Sequence, residues 1–92
     1  MKVLLSDEEL NSIEGRVAAA TPGPWSSFIE GRDHQSGSNF IMTGEMERRG
    51  DDIELSGATL ADQDFIAAAR QDIPRLLQAV RTLQLLLEQR ND

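Results

Sequence analysis

The chain has 92 residues, 39% hydrophobic and 4% aromatic, with no cysteine and a formal net charge of −7 from 16 acidic and 9 basic side chains. This is the composition of one small domain, residues 1–92, with an aliphatic core, and the order of its elements, taken below, makes it α+β; the composition excludes disulfide and thiolate chemistry and opposes nucleic-acid binding, which draws its affinity from concentrated positive charge. No stretch approaches the ~20 apolar residues of a membrane span, and "SDEEL" after a single lysine has the wrong charge for a signal or transit peptide, so the expected location is cytoplasmic, with no membrane partner.

The first element is an N-terminal helix. Ser6 and Glu9 have the spacing of a capping box, with Leu5 and Leu10 at the staple positions. Asp7, Glu8 and Glu9 put negative charge where the helix dipole favours it. Leu10, Ile13, Val17 and Ala20 follow as one apolar stripe. Gly15 is unfavourable inside a helix and is expected to mark the close approach of another backbone. Pro22, Gly23 and Pro24 require the helix to end near Ala20.

The period then changes. Trp25, Phe28 and Ile29, and after them Phe40, Ile41 and Met42, read as two strands of an antiparallel hairpin. The polar run between them is rich in turn residues: Gly31, Asp33, Ser36, Gly37 and Asn39. "TPGPW" is the corner from helix to sheet, and Trp25 is expected to be mostly buried there. "GEMERRGDD" is a second polar connection. "IEL" reads as a short third strand with Ile53 and Leu55 on one face.

The last third is one long helix, entered through a capping signal at Thr59 and Asp62. Ile66, Ala69, Ile73, Leu76, Val80, Leu83 and Leu87 recur at alternating steps of three and four, a heptad pattern. Phe65, Leu77 and Leu86 widen this stripe. Pro74 lacks the N–H that would bond the Arg70 carbonyl, which predicts a kink or short break at Gln71 to Ile73, with Asp72 able to cap a restart. The stripe is expected to share its core with the first helix. That helix is too short to cover Val80, Leu83 and Leu87, which are the candidate oligomer interface, with a dimer favoured.

"AAATPGPW" after an acidic first helix, with "ADQDFIAAARQDIPRLL" near the C-terminus, resembles a group of small uncharacterised bacterial and phage or prophage proteins. The resemblance covers Ala18 to Trp25 and Ala61 to Leu77. It implies a mobile-element or accessory setting and transfers no functional residue.

Few side chains carry a chemical signal. His34 beside Asp33 lacks the three or four convergent ligands of a metal site, and the plain reading is a solvated loop histidine. Asp51, Asp52 and Glu54 do not have the spacing of an EF-hand. Ser26, Ser27, Ser36 and Ser38 stand outside any nucleophile-elbow setting. Lys and Arg do not line the polar face of "FIAAARQDIPRLL" as they would in a membrane-surface helix. No catalytic residue, metal ligand or cofactor is assigned. Arg32, Arg48 and Arg49 fall in glycine-containing loops and form a candidate anion site, since guanidinium forks and backbone N–H groups hold carboxylate or phosphate; the competing arrangement pairs them with Asp33, Glu45, Glu47 and Asp51. Two function classes remain. One is a non-enzymatic interaction protein that self-associates or docks on a partner protein through its helices. The other is a binder of a small anionic metabolite.

Overall fold

Ser6 opens α1 (Asp7–Ala19) with both halves of the capping box: its hydroxyl accepts from the Glu9 N–H, and the Glu9 carboxylate accepts from the Ser6 N–H. A computed structural model describes residues 5–90, in which α1 is followed by β1 (Trp25–Phe28), β2 (Phe40–Thr43), a 3-10 turn at Met46–Arg48, and α2 (Leu60–Arg90). This is the α+β layout of the sequence: a helix, an antiparallel hairpin and a long helix. The chain divides into two compact units, one holding the described residues of Met1–Ala20 and Asp72–Asp92, the other Thr21–Gln71.

In the Thr21–Gln71 unit, β1 and β2 pair in the register Trp25↔Thr43 to Phe28↔Phe40. Ile29 and Ile41 are buried, with Thr43 beside them in the core. Ile29 lies just past the end of β1 rather than within it. The N-terminal part of α2 supplies two amides that bond this hairpin. Gln63, itself buried, donates through Nε2 to Ser27 Oγ and to the carbonyls of Phe28 and Phe40. Gln71 accepts from the Trp25 N–H at 2.7 Å and donates to the Trp25 carbonyl at 3.2 Å, so its side chain meets the strand as a neighbouring strand would.

The TPGPW corner is fixed from the same helix. Arg70 Nε and Trp25 Nε1 both donate to the Thr21 carbonyl, and the Gly23–Pro24 peptide is cis. A Cβ at Gly23 would lie 3.3 Å from both Arg70 Cγ and Gln71 Oε1, so the corner sits close against α2. Trp25 is half-buried, not mostly buried as the sequence suggested, because its indole N–H turns back to the chain that precedes it.

The third strand reduces to a single antiparallel bridge. Ile53 and Ile41 exchange two backbone hydrogen bonds of 2.8 Å, and neither neighbour of Ile53 extends the pairing. Asp51, Asp52 and Glu54 surround it, and such residues are depleted in strands. The expected alternation survives, with Ile53 and Leu55 half-buried and Glu54 exposed between them.

In the other unit, α1 and the C-terminal part of α2 meet through polar ties around a small apolar centre. Leu10 and Leu77 are buried. Arg81 donates to Asn11 Oδ1 at 2.9 Å and to Glu14 Oε2 at 3.1 Å, and Gln84 Nε2 donates to the Leu5 carbonyl. Gly15 is not a contact point, since nothing lies within 4 Å of where its Cβ would stand.

α2 starts from Thr59 and Asp62, which bond each other's backbone N–H groups at 3.0 Å in a capping box built with aspartate. The break expected near Gln71 to Ile73 is absent: α2 runs unbroken from Leu60 to Arg90 through Pro74, and Asp72 caps no restart. A proline inside a helix costs about 3 kcal/mol. Here the flanking Leu, Gln, Ala and Arg residues favour helix, and Pro74 is half-buried in a cleft that Glu14, Val17, Leu77, Gln78 and Arg81 also line.

Candidate functional site

α2 presents more apolar surface than its own chain covers. Within the Asp72–Asp92 segment, Ile73, Leu76, Leu83, Leu86 and Leu87 are all exposed, and Val80 is half-buried. Leu76 is 61% exposed, Leu83 59% and Leu87 48%. Ile73, Leu76, Val80, Leu83 and Leu87 are the heptad positions of the sequence. The residues that meet α1 lie elsewhere on the helix: Leu77, Arg81 and Gln84. At 100° per residue those three fall on the flank of the heptad row rather than on it. The sequence reading therefore needs correction. The open row is not only the end of the stripe at Val80, Leu83 and Leu87. It starts at least as early as Ile73, because the buried position is Leu77 and the stripe itself faces outward. In the Thr21–Gln71 unit, Phe65 and Ile66 are exposed as well.

A row of five or six adjacent aliphatic side chains in water is unfavourable, at roughly 25 cal/mol for each Å² left uncovered. Contiguous patches of this kind mark interaction surfaces. Scattered exposed leucines need no such explanation, and Leu85 is one, lying on the opposite side of α2 from the row.

The arginines are placed differently from one another. Arg32 forms a two-pronged pair with Asp64 at the start of α2, at 2.8 and 2.9 Å, and its Nε donates to Asp33 at 2.9 Å. Arg49 pairs with Asp52 at 2.9 Å. Arg48 is exposed, with no side-chain partner among the described residues. The three share no carboxylate. Arg32 pairs with Asp33 as in the competing arrangement of the sequence, while its second partner Asp64, and Asp52 beside Arg49, are not among the partners that arrangement names.

Asp64 is held down from its ordinary 3.8 to about 2, first by the hydrogen bonds from Arg32 and then by the Ser27 hydroxyl. Asp33 is lowered by Arg32 and by the Ile29 N–H, and Arg32 is raised by Asp64 and Asp33. A carboxyl whose pKa is lower in the folded than in the unfolded state stabilises the fold above the unfolded value, and that contribution is lost as pH falls through the folded one. Asp64→Asn should therefore flatten the acid arm of the stability curve between pH 3.8 and about 2. Urea unfolding at stepped pH checks this. Parallel acid arms in the two proteins would mean that the pair contributes nothing, as exposed pairs in salt often do.

His34 is not the solvated loop histidine that the sequence suggested. Its side chain is 16% exposed and packs edge-on against Phe28 and Phe40, which stack on each other at 5.4 Å. Nδ1 accepts from the Ser36 N–H and lies 2.6 Å from the Ser36 hydroxyl, while Nε2 is buried with no hydrogen-bond partner. The loop around it is closed by its own side chains: Asp33 accepts from the Ile29 N–H, Asn39 from the Glu30 N–H, and Glu30 from the Gly37 N–H. A polar sequence signalled a turn here, but only the aromatic residues at both strand ends hinted that the histidine would be drawn in.

Among the described residues, no three His, Asp or Glu side chains gather into a group that could hold a metal ion, and no helix is long and apolar enough to cross a membrane. No protein-family model, no curated protein and no solved structure matches this chain.

Proposed function

We propose that this protein is a non-enzymatic, self-associating interaction protein of the cytoplasm whose α2 row, Ile73 to Leu87, is the contact surface between two copies. One observation carries the reading: the heptad positions Ile73, Leu76, Leu83 and Leu87 of α2 are exposed, while a different face of the same helix does the packing within the chain. A long helix turns a regular apolar row outward when another helix is to cover it. The resemblance of the TPGPW and C-terminal segments to small bacterial and phage proteins supports an accessory, mobile-element setting, which the genes beside its own would test. The metabolite-binding alternative has less support, because Arg32 and Arg49 already hold carboxylates.

Light scattering at micromolar concentration should give the mass of a dimer. Leu83→Asp should weaken that dimer by at least about 100-fold, since a buried unpaired carboxylate costs several kcal/mol and each 1.4 kcal/mol is tenfold. Leu83 is 59% exposed within its own chain, so the variant should keep the circular dichroism of the parent. Leu85→Asp, on the other side of α2, should leave the mass unchanged. A wild-type monomer, or equal loss in both variants, would remove the proposal.

A further inference from the structure

The identities along the row go beyond its length. Stepping by three and then four from Ile66 makes Ile66, Ile73, Val80 and Leu87 the a positions, and Ala69, Leu76, Leu83 and Arg90 the d positions. In the exposed segment from Ile73, the a layers begin with two β-branched residues, and both interior d layers are leucine. Among parallel helices, β-branched residues at a with leucine at d favour two strands over three or four, because the two layers present their knobs to the facing holes at different angles.

From this pattern, and resting on the self-association reading above, we propose that the second copy lies parallel and in register, as a two-stranded seam along α2. Every row residue then meets its own counterpart: Ile73 on Ile73, Leu76 on Leu76, Val80 on Val80, Leu83 on Leu83, Leu87 on Leu87. Arg90 meets Arg90 only at the last turn, where it is exposed to water.

Antiparallel packing sets a positions against d positions, and its registers match this row less well. The register that pairs Val80 with Leu83 and Leu87 with Leu76 sets the guanidinium of Arg90 against Ile73. The register one heptad earlier pairs Ile73 with Leu83 and Val80 with Leu76, but leaves Leu87 against Ala69. The next places Leu87 opposite Asp62. Each choice buries a charge against an aliphatic side chain or leaves a leucine poorly matched.

The flanks of the row agree with a two-stranded seam. On one side Leu77 is buried and Gln84 is bonded to the Leu5 carbonyl, so α1 already occupies that flank. On the other side Ala79 and Leu86 are open. That width admits one further helix and not a ring of them.

The chain has no cysteine, so a single introduced thiol reports its own neighbour. Ile73→Cys and Leu87→Cys are prepared separately, checked by light scattering while reduced, and then oxidised alone and as an equimolar mixture. The parallel register predicts a covalent dimer from each variant alone. In the first two antiparallel registers each position lies about 15–27 Å along the axis from its own copy, at 1.5 Å per residue, and only the mixture links; in the third, Ile73 lies about 5 Å from its copy and only Ile73→Cys links alone. Links from the mixture alone, from one variant alone, or from none, overturn the orientation while leaving a dimer standing. A wild-type monomer overturns the self-association itself, and a trimer or tetramer mass overturns the two-stranded form.

Spin labels at Thr82→Cys and Gln89→Cys, both exposed, give a second measure if a seam variant loses the dimer. Equal distances between copies at the two sites support the parallel seam. A clearly longer distance at the second site, from an axial offset about 20 Å greater by the rise per residue, rejects it.

Discussion

Gly44→Ala is expected to destabilise the protein by about 2–5 kcal/mol, from the left-handed backbone penalty together with the strain of forcing a side chain into filled space. Gly44 has φ +69, and a Cβ there would fall on the Arg48 carbonyl. The turn is also tied on both sides: Gly44 N–H donates to the Pro24 carbonyl, and Gly50 N–H to the Thr43 carbonyl, each at 2.8 Å. The backbone therefore has little room to move aside. A domain of this size has a total stability on the order of 5–15 kcal/mol, so the variant should lose a large share of it in urea denaturation followed by circular dichroism. Gly15→Ala provides the contrast. That glycine is inside α1 with open space where a Cβ would stand, so the same substitution should stabilise by roughly 0.5–1 kcal/mol. Equal effects at the two positions would mean that the turn geometry is not as described.

The second large effect is expected at Gln63. Its amide lies between α2 and the end of the hairpin, donating to Ser27 Oγ at 3.0 Å, the Phe40 carbonyl at 3.1 Å and the Phe28 carbonyl at 3.3 Å. Gln63→Met keeps a long flexible side chain but removes both donors. Carbonyls left without a partner in a buried place cost about 1–3 kcal/mol each, so a loss of about 2–4 kcal/mol is expected. Gln63→Glu should be worse at neutral pH, because a carboxylate then faces two carbonyl oxygens. Hydrogen exchange at the β1 and β2 amides would show whether the loss is local to the hairpin or shared by the chain. Wild-type stability in Gln63→Met would show that the amide is dispensable.

α1 was legible because its signal is local: one serine, one glutamate three residues on, and a proline stop. The two paired strands were legible from aromatic and β-branched clusters on either side of turn residues. The third strand is less than its apolar residues suggest, since Ile53 supplies one bridge and its charged neighbours extend nothing. The long helix is legible from its stripe, but its inward face is not, for a physical reason. Apolar periodicity identifies any face that avoids water, whether the covering group belongs to the same chain or to another. The side of α2 that meets the hairpin carries Gln63, Ala67 and Gln71, and the side that meets α1 carries Leu77, Arg81 and Gln84. Most of these are amides, a guanidinium or a small residue, which an apolar pattern passes over. Arg32 was singled out for its charge, but its partner Asp64 is 32 positions away in the chain, and no local spacing points to it.

The Gln71 amide that meets Trp25 bears on how copies of this protein avoid the wrong kind of association. A two-stranded sheet has two outer edges, and an open edge is a template for a strand from another molecule. Here the outer edge of β1 is occupied at Trp25 by a helix side chain, and the outer edge of β2 is occupied at Ile41 by the Ile53 bridge. Strand-by-strand growth, which has no natural stopping point, thus meets a plug on each side of the hairpin. The proposed helical seam, by contrast, would close after one partner is added. The occupied edges therefore oppose growth into fibres, and leave the proposed helical surface as the route by which copies would meet.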